Sequence, residues 1–344
     1  MARYFKHDLN ILGCRRIFFT ISLILIIISV GAICIRGINL GIEFQGGTNI
    51  TFNNTGDITI EEMRSAFEEV GVDAATIQTT SSGSSNGFIV RTSETDPNTA
   101  ASTALKVAEN LALPDTSYEV QTIGPDWGAS VMQSSLIAFF IAIIAIIIYI
   151  SIRFEWKMSL TAILGLLHDL TIVVGIYALF GLEVTPNVIA AILTIMGYSL
   201  YDTVVSFHRI NENASPNMHH SYITIANHSV NQVLARTINT TLTSLIPVLA
   251  MLFFGGDTLK DFALAMTIGL VLGSYSSFGI SVPIFALWKS RELVYARLAV
   301  KYGEGVGDFS DERLTDIDVD TKKTARSDKR SDRPSGERSS GGSY

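Results

Sequence analysis

Residues 17–35, 131–152, 237–256 and 262–288 of this chain contain no charged side chain. Each run reaches or approaches the ~20 apolar residues that a helix needs to cross a ~30 Å hydrocarbon layer. Two more runs, about 158–182 and 184–207, qualify once His168, Asp169, Glu183 and Asp202 are admitted as exceptions. In hydrocarbon every backbone N–H and C=O must find its partner within the segment, so each run is expected to be a helix. The sequence therefore predicts a polytopic α-helical membrane protein with six transmembrane helices. Its composition, 48% hydrophobic and 17% charged, agrees.

Arg15 and Arg16 before the first run are also what a secretory signal would show. The run is too long for one, however, and residues 31–36 lack a small-x-small cleavage pattern, so it is read as a retained span. Lys and Arg near span ends set the orientation. Arg3, Lys6, Arg15 and Arg16 precede the first span, Arg153 and Lys157 separate the second from the third, and Lys289, Arg291, Arg297 and Lys301 follow the sixth. Alternating spans put all three sets on one side, which predicts that both termini are cytoplasmic. The net charge of −7 resides mostly on the other side, because residues 37–128 hold thirteen acidic and three basic residues. Nothing in this balance points to nucleic acid as a partner, and the basic half of the C-terminal tail is read as solvated. Cys14 and Cys34 would stand ~30 Å apart on one helix and cannot pair with each other.

The chain divides into a cytoplasmic N-terminus with the first helix (1–36), an extracytoplasmic segment (37–128), helices two to six (129–290) and a cytoplasmic, largely disordered tail (291–344). In 37–128, strand patterns at 47–53, 74–80, 88–92 and 117–123 alternate with two helical patterns. Asp57 is read as the N-cap of the first helix, and Asp96-Pro97 opens the second. The order β-α-β-β-α-β predicts a small α+β ferredoxin-like domain. A polar connection is expected over 209–235, and Gly255-Gly256 reads as a turn.

Charges at membrane depth cost on the order of 2.5–3.5 kcal/mol at a helix centre, so those retained there usually mark pathways or relays. On span four, Ser199, Asp202, Ser206 and Arg209 follow one another at +3, +4 and +3, forming one helical stripe. Asp202 lies at a depth that Arg236, opening span five from the same side, can match. The pair is either a packing ion pair or a site where protonation switches the contact. His168-Asp169 on span three is open to two readings, relay or polar packing between helices. Asp261 at the start of span six reads as an N-cap or rim residue. Gly269 and Gly273 make a GxxxG that favours close helix packing. There is no P-loop, no HExxH and no Cys/His spacing for a metal, so no cofactor, metal site or catalytic residue is expected and the chain is not read as an enzyme. His219-His220 is read as a solvated pair.

"GINLGIEFQGGTNI" (37–50) resembles the G-[IL]-[DE]-F-x-G-G segment of the SecD/SecF family, carried by Gly41, Glu43, Phe44, Gly46 and Gly47. "LGLLHDLTIVVGIYALFG" (164–181), "TIMGYSLYDTVVSFHRINEN" (194–213), "QVLARTINTTLTSLIPVLAMLFFGG" (232–256) and "LKDFALAMTIGLVLGSYSSFGISVPI" (259–284) resemble its SecF half. The resemblance implies an RND-superfamily bundle in a bacterial cytoplasmic membrane, partnered by SecD and placed beside the SecYEG channel. It implies assistance to polypeptide export driven by the proton-motive force, with a membrane insertase as a further partner. Asp202, Arg236 and Asp261 match family residues implicated in proton conduction. Tyr201 stands where the family usually has Asn, His208 where it has Asp, and Glu43 where Asp is commoner. Two alternatives stand beside this reading: a non-transporting scaffold for SecD or an insertase, and half of an RND-type small-molecule or lipid exporter.

Overall fold

The computed structural model describes residues 8–302, apart from 54, 73–75, 83–84, 115–116 and 215–219. The expected tail beyond Tyr302, and His219 of the histidine pair, lie outside the described residues. Among the described residues, six helices are long and apolar enough to cross a membrane. They are α1 (Arg15–Arg36), α5 (Pro125–Arg153), α6 (Trp156–Phe180), α7 (Pro186–Asn213), α8 (Tyr222–Phe254) and a broken sixth span. That last span consists of α9 (Asp257–Ser276), a π turn (Ser277–Ser281) and α10 (Val282–Ser290). Pro283 explains the break: it has no N–H to donate, and its ring collides with the carbonyl four residues back.

Between α1 and α5 lie β1 (Asn39–Leu40), α2 (Ile42–Gln45), β2 (Gly47–Phe52), α3 (Ile60–Glu69), β3 (Thr76–Ser82), β4 (Ser85–Thr92), α4 (Pro97–Asn110) and β5 (Tyr118–Ile123). The antiparallel sheet runs β3-β4-β2-β5, which is the ferredoxin-like strand order. Met63 and Phe67 of α3 and Ala104 and Val107 of α4 bury themselves against Phe52, Phe88 and Val90 of the sheet. Each large side chain buried this way stabilises the domain by about 1.5–3 kcal/mol. Asp96 caps α4 as expected, its carboxylate accepting from Thr99 N at 3.0 Å. The cap of α3 is Thr59 rather than Asp57: Thr59 and Glu62 form a reciprocal capping box, which satisfies two backbone N–H groups where Asp57 could reach one.

The Gly-Gly segment is the joint between membrane and sheet. Gly46 has φ +79° and packs on Pro125, while a Cβ on Gly47, at φ +138°, would lie 2.5 Å from the Thr92 carbonyl oxygen. Only glycine can turn the chain there from α2 into β2. Phe44 of α2 faces the membrane bundle and is buried in its core. A second tie is parallel: β1 pairs with β6 (Glu183–Val184), the link between α6 and α7.

In the bundle, α1 packs on α6, and α7 and α8 both pack on α9. Both glycines of the GxxxG meet α7, Gly269 against Ile195 and Gly273 against Ser199. By contrast α1 and α5 leave large apolar side chains such as Ile24, Ile27, Phe140 and Ile144 exposed, as lipid-facing helices do.

The sequence placed a polar connection over 209–235, but α7 continues to Asn213 and α8 begins at Tyr222. Its first turns are helical because their polar side chains have partners. Asn231 accepts from Leu9 N at 2.8 Å and donates to Leu9 O at 2.9 Å, and Asn227 likewise bonds Leu12 N and Leu9 O. His228 Nδ1 meets Asp8 at 2.6 Å. After the sixth span the chain forms one more helix, α11 (Leu293–Tyr302). The Tyr295 ring packs against Tyr222 at 4.5 Å, tilted by 60°, and Glu292 just before the helix bonds Lys157 at 2.8 Å.

Candidate functional site

Three helices converge on Asp169, which is completely buried. Gly273 on α9 allows the close approach, since a Cβ there would lie 3.0 Å from Ser199 Cβ. Ser199 of α7 donates to Asp169 Oδ2 at 2.6 Å, and Ser276 of α9 donates to the same oxygen at 2.7 Å. His168 Nδ1 lies 3.0 Å from Oδ1. The pattern continues one turn on, where Thr203 and Ser277 exchange a hydrogen bond at 2.9 Å. Ser277 opens the π turn, so the irregular backbone of span six sits against this polar layer.

Asp202 lies one turn from Ser199 on the same face of α7. At ~1.5 Å per residue it is about 16 Å from the Asn213 end of that helix. It is 8% exposed, and its hydrogen bond is a long one, Thr237 donating to Oδ1 at 3.4 Å. Tyr198, Ser199, Tyr201, Asp202, Thr240, Thr241, Gly273 and Ser274 line a cleft of about 10 Å³, roughly the room one water needs. Threonines of α8 close it, Thr241 bonding Ser274 at 2.5 Å.

The sequence placed Asp202 opposite Arg236. The structure shifts that contact by one residue. Arg236 donates to the Tyr201 hydroxyl and lies over its ring at 5.5 Å, while its neighbour Thr237 takes Asp202. Successive residues of α8 point about 100° apart, and the shorter threonine fits the tighter side, against the carboxylate. Tyr201 thus holds the guanidinium beside the cleft.

Of the stripe, Ser199, Asp202 and Ser206 are buried, and Arg209 leaves it to bond Gln232 and Glu212. Ser206 Oγ has no hydrogen-bond partner among the described residues. Asp261 is not part of this cluster. Gly273 is level with Ser199, so Asp261, twelve residues earlier on the same helix, lies about 18 Å away along it. Its carbonyl accepts from Tyr177 Oη at 2.9 Å, and its charge belongs with a group near β6. There Glu183 pairs with Arg91 of β4 at 2.5 Å. Burial pushes the Glu183 carboxyl above its ordinary range, Arg91 opposes the shift, and Asp261 and Glu43 add to it. Glu43, Gly41, Phe44, Gly46 and Gly47 thus gather at the joint between the sheet and the bundle, away from Asp202.

Ser276, Thr203, Ser277 and Tyr275 carry the buried network with no charge to advertise them. The signal for the three on α9 and the π turn is the run of hydroxyls in "GSYSS" (273–277) at a depth where leucine would otherwise serve; Thr203, one residue after Asp202, has none of its own.

The chain matches the family model for the C-terminal part of the SecD/SecF protein export membrane proteins over residues 104–291, and the SecD/SecF GG motif over 31–53. The protein translocase subunit SecF of Streptomyces coelicolor is 36% identical over 286 residues, covering 81% of this chain and 76% of that protein. SecF of Endomicrobium trichonymphae is 32% identical over 306 residues, covering 87% and 97%. The crystal structure of SecDF from Thermus thermophilus, a translocon-associated membrane protein, superposes with a TM-score of 0.73 at 33% identity, over 83% of this chain and 39% of that longer one. Matched along most of its length both to free-standing SecF subunits and to one part of the fused SecDF, this chain belongs to the SecF family of protein translocase subunits.

Proposed function

We propose that this chain is an accessory subunit of the bacterial Sec translocase that uses the proton-motive force, together with SecD, to promote polypeptide export. SecF and SecD are joined in one polypeptide in the SecDF relatives, which supports SecD as the partner. The chain sits in the cytoplasmic membrane beside SecYEG, both termini in the cytoplasm and the ferredoxin-like domain outside. Nothing in this role requires an enzyme's chemistry.

The observation that carries the coupling is Asp202. A carboxylate deep in α7, with one long hydroxyl contact and a cleft the size of a water beside it, costs free energy unless a cation or a proton neutralises it. Arg236, on Tyr201 at the cleft wall, is the cation that can approach when the proton leaves. Protonation then alternates which helix contact is favoured, and the joint at Gly46-Gly47 carries that change toward the external domain.

The test is proton flux into vesicles holding this chain with its SecD partner, wild type against Asp202→Asn. Flux in the variant falls to background and export slows, while assembly with SecD is retained. Normal flux would refute the proton role of Asp202. Normal export with normal assembly would favour the scaffold reading.

A further inference from the structure

We propose that His168, oriented by Asp169, is a second proton-binding site inside the membrane, joined to the Asp202 cleft through Ser199; this rests on the relay reading above and extends it. The charge count at the pair leads to it. With one proton on the short line between His168 Nδ1 and Asp169 Oδ1, the pair is electrically neutral only if Nε2 also carries a hydrogen. This holds whether the line is an imidazolium facing a carboxylate or a neutral imidazole facing a carboxylic acid. Removing the Nε2 proton leaves a net negative charge at Asp169, which has no exposure at all. Nε2 is therefore the atom where the pair gains or loses a proton. It is buried and has no hydrogen-bond partner among the described residues.

The surroundings suit a proton carrier better than a staple. Ser199 and Ser276 hold Asp169 Oδ2, so the carboxylate cannot turn away from the imidazole. Tyr275 stacks on the His168 ring at 6.3 Å and 30°, fixing its plane, and spends its own hydroxyl on Phe18 O and Ser22. Among the described residues the ionisable groups around the pair are few: Tyr275 on α9, Asp202 one turn along α7 and Arg236 beyond it on Tyr201; α1, α5 and α10 carry their charged side chains only toward their ends. Ser199 both donates to Asp169 and lines the cleft of Asp202. Rotation of that one hydroxyl would turn it from Asp169 toward the cleft that Asp202 lines. A proton leaving Nε2 and one arriving at Asp202 are thereby coupled through a single serine.

The experiment uses the full chain with its SecD partner, labelled with ¹⁵N-histidine, and His168→Gln to assign the ring signals. Magnetic resonance across the pH range in which the complex stays folded should show the His168 ring gaining and losing a proton. That titration should shift in Asp202→Asn. Ring signals that never change would overturn the proposal. Ser199→Ala, a small change within a packed layer, should leave His168 titrating but remove the shift caused by Asp202→Asn and lower proton flux; a shift that survives in Ser199→Ala would refute the serine link. If Asp202→Asn abolishes flux while His168 is silent, the relay through Asp202 stands and this site falls. If His168 titrates but Asp202→Asn conducts normally, the reverse holds.

Discussion

Replacing Gly269 with alanine should expose how rigid the seam between α7 and α9 is. A Cβ on Gly269 would lie 2.2 Å from Ile195 Cδ1, 2.4 Å from Cγ1 and 2.7 Å from Cγ2. The obstacle is a whole β-branched side chain, stiff at χ1 and only 1% exposed, not the tip of a flexible one. Overpacking of this kind costs about 1–3 kcal/mol. Alanine recovers about 0.5–1 kcal/mol of helix propensity, so the net loss is about 0–2.5 kcal/mol. Ile195→Ala alone leaves a cavity and costs about 2–5 kcal/mol. In the double variant the new methyl fills part of that cavity, so the two changes should compensate by about 1–3 kcal/mol. Gly197→Ala is the control: its Cβ meets nothing within 4 Å, so it should not destabilise. Heat unfolding in detergent, followed by circular dichroism, measures all four. Additivity of Gly269→Ala and Ile195→Ala within about 0.5 kcal/mol would refute the reasoning, because it would mean the helices simply move apart.

Glu183→Gln tests the joint near β6. Between the ordinary carboxylate value and the raised value that burial imposes on Glu183, the folded chain holds more proton than the unfolded one, so stability falls as pH rises through that window and is flat above it; the glutamine variant should lose that slope in unfolding measured against pH. Asn227→Ala with Asn231→Ala should release residues 9–12 from α8, at about 0.5–1.5 kcal/mol per lost hydrogen bond, seen as faster amide exchange at Leu9 and Leu12 with α7 unchanged.

The sequence made the spans legible because hydrocarbon leaves a helix no rival, and residues such as Ile144 or Leu270 reveal themselves by type alone. The ferredoxin-like order was equally readable from alternation and from Asp96-Pro97. Helix limits were harder wherever polar residues are buried by other polar residues. Asn227, His228 and Asn231 look like loop until Leu9 and Asp8 are known to lie against them. The same cause explains the site. Asp202 and Asp169 announce themselves by charge, but which partner each takes depends on where α8 points successive side chains. Arg236 and Thr237 differ by one residue in sequence and by a quarter turn in space.

The cradle of Asp169 also bears on the order in which the chain is made. Ser199 follows it by 30 residues and Ser276 by 107. During synthesis the third span therefore enters lipid with a carboxylate whose only built partner is the adjacent His168. The cost, on the order of 2.5–3.5 kcal/mol for a bare charge, falls on a nascent helix that its remaining apolar residues must hold in place. Ser276 lies on the last span to emerge, so the polar layer closes only when translation has passed all six. A ribosome that stalls after span five leaves a membrane protein with every greasy segment inserted and its central carboxylate still lacking the second hydroxyl.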